Sequence, residues 1–227
     1  MKIKNQTLLA WCAAAATSLT AIRADAATTV GVDPGATWLG FMNVFERPAN
    51  GGGFVFGSGW GTADLSAVYT GAILRLSPNT IGDPNPFWYV GGGGPGAAGN
   101  KTMDANFYVE SNGPLSGQDV TFTGFVLDNT LTSAHTVVAF IKDFAPDYSS
   151  FTQTTTPLVD GIFSITHSTA AGSGRHVQYG FEMIGPNVWV TDVAPFGFVE
   201  VTAVPEPASL LLAGLGAAAL LIVRRRR

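Results

Sequence analysis

The chain has 227 residues, enough for one domain of ordinary size with targeting segments at its ends. Only 12% is charged and 28 residues are glycine, a balance that favours strands and turns over helices. The formal net charge of −4 hides an asymmetry: between Ala27 and Ala203, five basic residues face 14 acidic ones, and this net of −9 repels phosphate backbones and excludes nucleic acid as an expected partner.

In chain order, the first expected element is a secretory signal peptide over residues 1–26. Lys2 and Lys4 give a basic start, Leu8 to Ala16 form a short apolar stretch, and Ala24 and Ala26 put small residues where a signal peptidase reads. The apolar stretch is too short for a permanent span. Cleavage is expected after Ala26, with Ala27 as the alternative. Cys12, the only cysteine, lies inside this segment, so neither an intramolecular disulfide nor a Cys-based metal site is available. Trp11 before Cys12 argues against a lipoprotein signal, which wants a small residue there.

Residues 27–203 read as strands and turns. The run TWLGFMNVFE (Thr37 to Glu46) is apolar and aromatic, and LSAVY and AILRL flank a turn expected at Thr70-Gly71. The stretch MDANFYVE alternates strictly, with Met103, Ala105, Phe107 and Val109 on one face and Asp104, Asn106, Tyr108 and Glu110 on the other. DVTFTGFVL alternates again. HTVVAFIKDF is denser and predicts a central strand buried on both faces. GIFSITH, VQYGFEM, NVWVTDV and GFVEVT complete about ten strands. Gly82 to Thr102 must be mostly loop, and the shorter RPANGGGF is a loop of the same kind, because clustered Gly and Pro cannot sustain a strand. No helical periodicity is sustained, so the expected fold class is all-β: an antiparallel β-sandwich, with a jelly roll as the expected form.

Phrases such as VTFTGFVLDNTL, VAFIKDFAPDYSS and VQYGFEMIGPN resemble galactose-binding-like jelly rolls, the fold of several carbohydrate-binding modules. The resemblance covers about half of the domain and rests on strand style. It implies a sugar-binding surface and a structural calcium ion, and assigns neither to a residue.

The chain ends VPEPASLLLAGLGAAALLIVRRRR, residues 204–227. Ala208 to Val223 carry no charge, and a helix over these 16 residues would reach roughly 24 Å, a short transmembrane helix. Arg224, Arg225, Arg226 and Arg227 should stay cytoplasmic, which puts the domain outside the membrane. Pro205 and Pro207 fix their own φ and hold Pro205-Glu206-Pro207 extended, a form that suits a protease or transpeptidase cleft. This order of parts resembles the PEP-CTERM sorting signal. The resemblance implies processing by an exosortase, a membrane-embedded cysteine transpeptidase, in Gram-negative bacteria that make extracellular polysaccharide. It implies inner-membrane anchorage before sorting and release to the envelope or extracellular matrix, with a cut expected at or near Pro207.

Catalytic signatures are scarce. No serine sits in G-x-S-x-G, and neither H-E-x-x-H nor a P-loop occurs. GSGWG lacks the strand–loop–helix setting of a dinucleotide loop. His135, His167 and His176 have no metal-ligand spacing, and His135 is expected to start a strand. Asp143, Asp147 and Asp192 sit at expected strand ends. Turn capping, calcium ligation and a glycosidase acid pair all remain open for them. No cofactor is otherwise called for. Large aromatic rings suit the C–H faces of sugars, and Trp60, Trp88 and Tyr89 beside glycines are the candidate stacking residues, with core packing as the alternative. The reading is an exported, non-enzymatic envelope or matrix protein that binds polysaccharide. The alternatives are a polysaccharide lyase or hydrolase on the same fold, and a protein–protein assembly module.

Overall fold

The computed structural model describes residues 27–205. These residues form twelve strands in two sheets with two single-turn 3-10 helices, at Pro48–Asn50 and Ala194–Phe196. The first sheet contains β1 (Thr28–Gly31), β4 (Ala67–Thr70), β5 (Ile73–Leu76), β7 (Asp119–Asn129), β10 (Gly161–Ser168) and β12 (Val199–Thr202). The second has the order β3 (Phe54–Gly59), β2 (Trp38–Glu46), β6 (Lys101–Asn112), β11 (His176–Pro186), β8 (Thr136–Phe144), β9 (Phe151–Pro157). This is the expected all-β sandwich, in an arrangement compatible with a jelly roll. The segments expected as signal peptide (residues 1–26) and transmembrane helix (208–223) lie outside the described residues.

One pairing departs from the antiparallel expectation. Strand β1 runs parallel to β7, beside Val120 to Thr123, while β12 occupies the rest of the same β7 edge from Phe125 to Asn129. The two short strands thus share one long partner. The β4–β5 turn falls one residue later than expected. Thr70 pairs with Ile73, and Gly71 takes the left-handed φ of 61° that a tight turn needs. The segment NVWVTDV is not a strand but a turn closed by the Asp192 amide on the Trp189 carbonyl, 2.9 Å. Strand β8 is buried on both faces as expected, yet it is next to the edge rather than central. Its outer face is covered instead by its own Lys142, which lies over Phe140 at 4.2 Å.

The core lies between the sheets, where both inner faces interdigitate. Met103, Ala105 and Phe107 of β6 face inward, as their alternation requires. The ring of Trp38 stacks on Phe107 at 4.5 Å and meets Tyr69 of the opposite sheet at 6.0 Å. Phe181 of β11, 1% exposed, meets Phe122 at 5.4 Å and Phe163 at 5.9 Å across the gap. These aromatic pairs join the sheets in a chain that lacks a disulfide. Truncation of Phe181 to alanine should therefore cost about 3–5 kcal/mol, measured by urea unfolding, with an unchanged m-value.

Candidate functional site

The outward face of the second sheet carries a cavity of about 660 Å³. Strict alternation creates it. Each strand that turns an apolar row to the core turns the intervening residues outward, and here those residues are polar or aromatic. Strand β6 contributes Asp104, Asn106, Tyr108 and Glu110, the outward face read from its sequence. Phe41 and Asn43 come from β2, Gln178 and Glu182 from β11, and Lys142 and Phe144 from β8. Strand β9 and its hairpin add Phe151, Gln153 and Tyr148.

A hydrogen-bonded network fixes the floor. The Asp104 carboxylate accepts the Asn43 amide at 3.1 Å and the Asn106 amide at 2.7 Å. Lys142 Nζ donates to Asn106 Oδ1 and to Glu182 Oε2, both at 2.6 Å. To reach Asn106 on β6, Lys142 must cross β11 at Gly180, which presents no side chain. A Cβ there would strike the Phe107 carbonyl and sit 2.7 Å from Tyr108 Cα. Burial above all, and then the nearby Glu182 charge, raise the Asp104 carboxyl above the usual range against its hydrogen bonds.

The wall is aromatic. Tyr148 sits in the β8–β9 hairpin with a φ of 57°, a left-handed backbone that a bulky residue rarely adopts. Its ring stacks on His176 at 4.2 Å, and its hydroxyl donates to Glu110 at 3.1 Å. Loss of hydration, followed by the Glu110 charge, pushes this hydroxyl up to about 12, and burial and Glu110 likewise raise Tyr108. Both phenols are therefore neutral donors at physiological pH. Gln178 donates to Glu110 at 2.7 Å. The Gln178 carbonyl oxygen and the Tyr108 hydroxyl, on side chains 7% and 9% exposed, have no hydrogen-bond partner among the described residues.

None of the residues singled out from the sequence for stacking lines this cavity. Tyr89 is fully buried, with its hydroxyl within hydrogen-bonding reach of the Ile81 and Val188 carbonyls, so it pins the glycine-rich loop and cannot stack on a sugar. Trp60 and Trp88 are half-buried against the core, the first donating to Ser58 Oγ at 2.9 Å and the second edge-on to Phe56. The three aspartates are not brought together either. Asp143 is fully buried, paired with Arg175 at 2.9 Å, and accepts the Ala170 amide. Asp147 caps its own turn, and hydrogen bonds from Ser149 hold it below the usual range. Asp192 accepts the Gly96 amide at 2.6 Å at the rim of a separate, open depression of about 560 Å³. Among the described residues no group of three or more His, Cys, Asp or Glu side chains is placed to hold a metal ion.

The chain leaves the sandwich through β12. Thr202 is the last paired residue, and its hydroxyl donates to the Ala72 carbonyl at 3.1 Å. Ala203, Val204 and Pro205 follow directly. A family model for the PEP-CTERM protein-sorting motif matches residues 203–227. The chain carries a PEP-CTERM sorting motif. This motif marks an exported protein that an exosortase processes at the membrane, in the Gram-negative envelope or extracellular space. Within it, Pro205 is described, while Glu206, Pro207 and Arg224 to Arg227 lie outside the described residues. No curated protein and no solved structure matches the PEP-CTERM-bearing chain.

His135, expected to start a strand, lies one residue before β8 and is buried beneath Phe196 with Nε2 donating to the Pro186 carbonyl at 3.0 Å. Its Nδ1 is buried without a partner among the described residues, and burial lowers its pKa from 6.5. The unfolded chain thus binds this proton more tightly than the native one, so His135 makes stability fall as pH drops through about 6.5 toward the lowered native value. Replacement by glutamine should flatten that limb of a stability–pH curve measured by urea unfolding.

Proposed function

We propose that the protein is an envelope or extracellular-matrix component whose sandwich binds polysaccharide across the outward face of the second sheet, without acting as an enzyme on it. The observation that carries this reading is the composition of the cleft. A preorganised row of amides, carboxylates and an ammonium forms the floor, and Phe41, Tyr148 and Phe151, each at least 36% exposed, supply rings for the C–H faces of sugars. Export to a compartment rich in polysaccharide puts the ligand class within reach.

Tyr148→Gly separates binding from stability. It removes the ring but relieves a left-handed backbone worth about 1–2 kcal/mol, against one lost hydrogen bond of about 1 kcal/mol and the lost stacking on His176 of about 0.5–1.5 kcal/mol. On a glycan array, with and without calcium, the full-length protein should bind at least one glycan class. The variant should bind about tenfold more weakly while its unfolding free energy stays within ~1 kcal/mol. Flat responses in both conditions would count against the reading.

A hydrolase is the second reading, favoured by one observation: Asp104 is held above the usual carboxylate range beside Glu182. Under the binding reading, the purified protein releases no reducing ends from matrix polymer. Release that disappears in Asp104→Asn would decide for the enzyme. For sorting, we propose signal-peptide removal after Ala26 and a cut at or near Pro207. Intact mass of the surface-associated protein reads both ends at once and should match a chain that lacks Arg227.

A further inference from the structure

The cleft is charged out of balance. Three carboxylates, Asp104, Glu110 and Glu182, line it with a single ammonium, that of Lys142. That ammonium is already engaged by Asn106 and Glu182, each at 2.6 Å, and packs over the Phe140 ring. The other basic side chain at the wall is His176, whose Nδ1 is 2.6 Å from Asn112 Oδ1 and 3.7 Å from Glu110 Oε1. Among the described residues the cleft thus offers no unengaged ammonium to a uronate or sulfate, and an anionic polymer would meet three carboxylates against one ammonium. Two acceptors at the carboxylate end of the cleft point the same way, although the Tyr108 hydroxyl beside them can also donate. The Gln178 side-chain oxygen and Glu182 Oε1 receive no donor among the described residues, and both can accept from a ligand that displaces water. The exposed Tyr148 and Phe151 rings stand beside these acids, and a ring face next to a carboxylate is a setting that attracts a cation.

Resting on the glycan-binding reading, we propose that the cleft selects a glycan bearing free, protonated amino groups, of the kind that a chain of de-N-acetylated hexosamines presents. The amines would donate to Glu110, Glu182 and the Gln178 carbonyl while the sugar faces pack on Tyr148 and Phe151.

The test is calorimetric titration of the full-length protein, held in a zwitterionic detergent without sugar groups. The titrants are oligomers of glucosamine, of N-acetylglucosamine, of glucose and of galacturonate. The glucosamine oligomer should bind about tenfold more tightly than the acetylated and neutral oligomers, and galacturonate most weakly, since each charge-assisted hydrogen bond contributes on that scale. Glu110→Gln should narrow the preference severalfold, and Glu182→Gln provides the same reading should the first variant fail to fold. Equal binding of the acetylated and amino oligomers, lost in Tyr148→Gly, would overturn the amine preference and leave the glycan site standing. Tight binding of the amino oligomer that survives Tyr148→Gly would overturn it as well, by tracing the attraction to the acidic surface at large. Failure of all four oligomers to bind would bring down the underlying glycan reading.

Discussion

The structure depends on the register of β11. This strand is paired along its length with β6 on one side, from His176 opposite Asn112 to Pro186 opposite Thr102, and with β8 on the other. Sheet periodicity is two, so a slip of one residue would turn Glu182 and Gln178 into the core and put Phe181 and Tyr179 in water. Burying an unpaired carboxylate is prohibitive compared with burying a phenylalanine, and the register is therefore set by charge as much as by hydrophobicity. Since β6 and β8 take their positions from β11, the whole second sheet inherits this choice.

That same register builds the cleft. Holding Phe181 inward places Glu182 outward, opposite Asn106 on β6 and Val138 on β8. It also centres Gly180 between Tyr108 and Phe140, which leaves the lane along which Lys142 crosses. A buried ammonium held by one carboxylate and one amide adds little net stability, because desolvation offsets most of the attraction. Its consequence is positional. Lys142 ties β8 to β6 over the back of β11, and the floor of the cleft is thereby fixed before any ligand arrives.

Much of this was legible in the sequence, and the failures have physical causes. The alternation of β6 gave both faces correctly, so half of the polar floor could be read from MDANFYVE. What one strand cannot reveal is which outward residues of other strands will stand beside it, and Lys142, Gln178 and Tyr148 join the site only through pairing. Strand β9 went unread because Phe151–Pro157 is largely exposed and mostly threonine, with no apolar row to betray it. Strand β3 was hidden by Gly57 and Gly59, which dilute its pattern, and β1 by its nearness to the expected signal cleavage. Exposure was inferred for Tyr89 from its glycine neighbours, yet a glycine-rich loop needs an anchor, and a fully buried tyrosine bonded to two strand-flanking carbonyls provides it.

The two parts of the molecule with functional content are mechanically separate. The cleft belongs to the outward face of the second sheet, whereas β12, the strand that hands the chain on to the sorting motif, belongs to the first. The core lies between them. Every residue of the cleft lies between Phe41 and Glu182, so removal of residues beyond the Pro-Glu-Pro segment takes none of them away. Only Ala203 and Val204 separate the last paired residue, Thr202, from Pro205, so the sorting segment emerges from a strand held on both sides, by Leu74 and Val126 at Val201. With a cut at Pro207 as proposed, the reach from Thr202 is at most about 18 Å even in fully extended chain. The chain leaves from the end of an interior strand of the first sheet, whereas the cleft lies on the outward face of the second. The proposed binding face and the sorting segment therefore belong to different sheets.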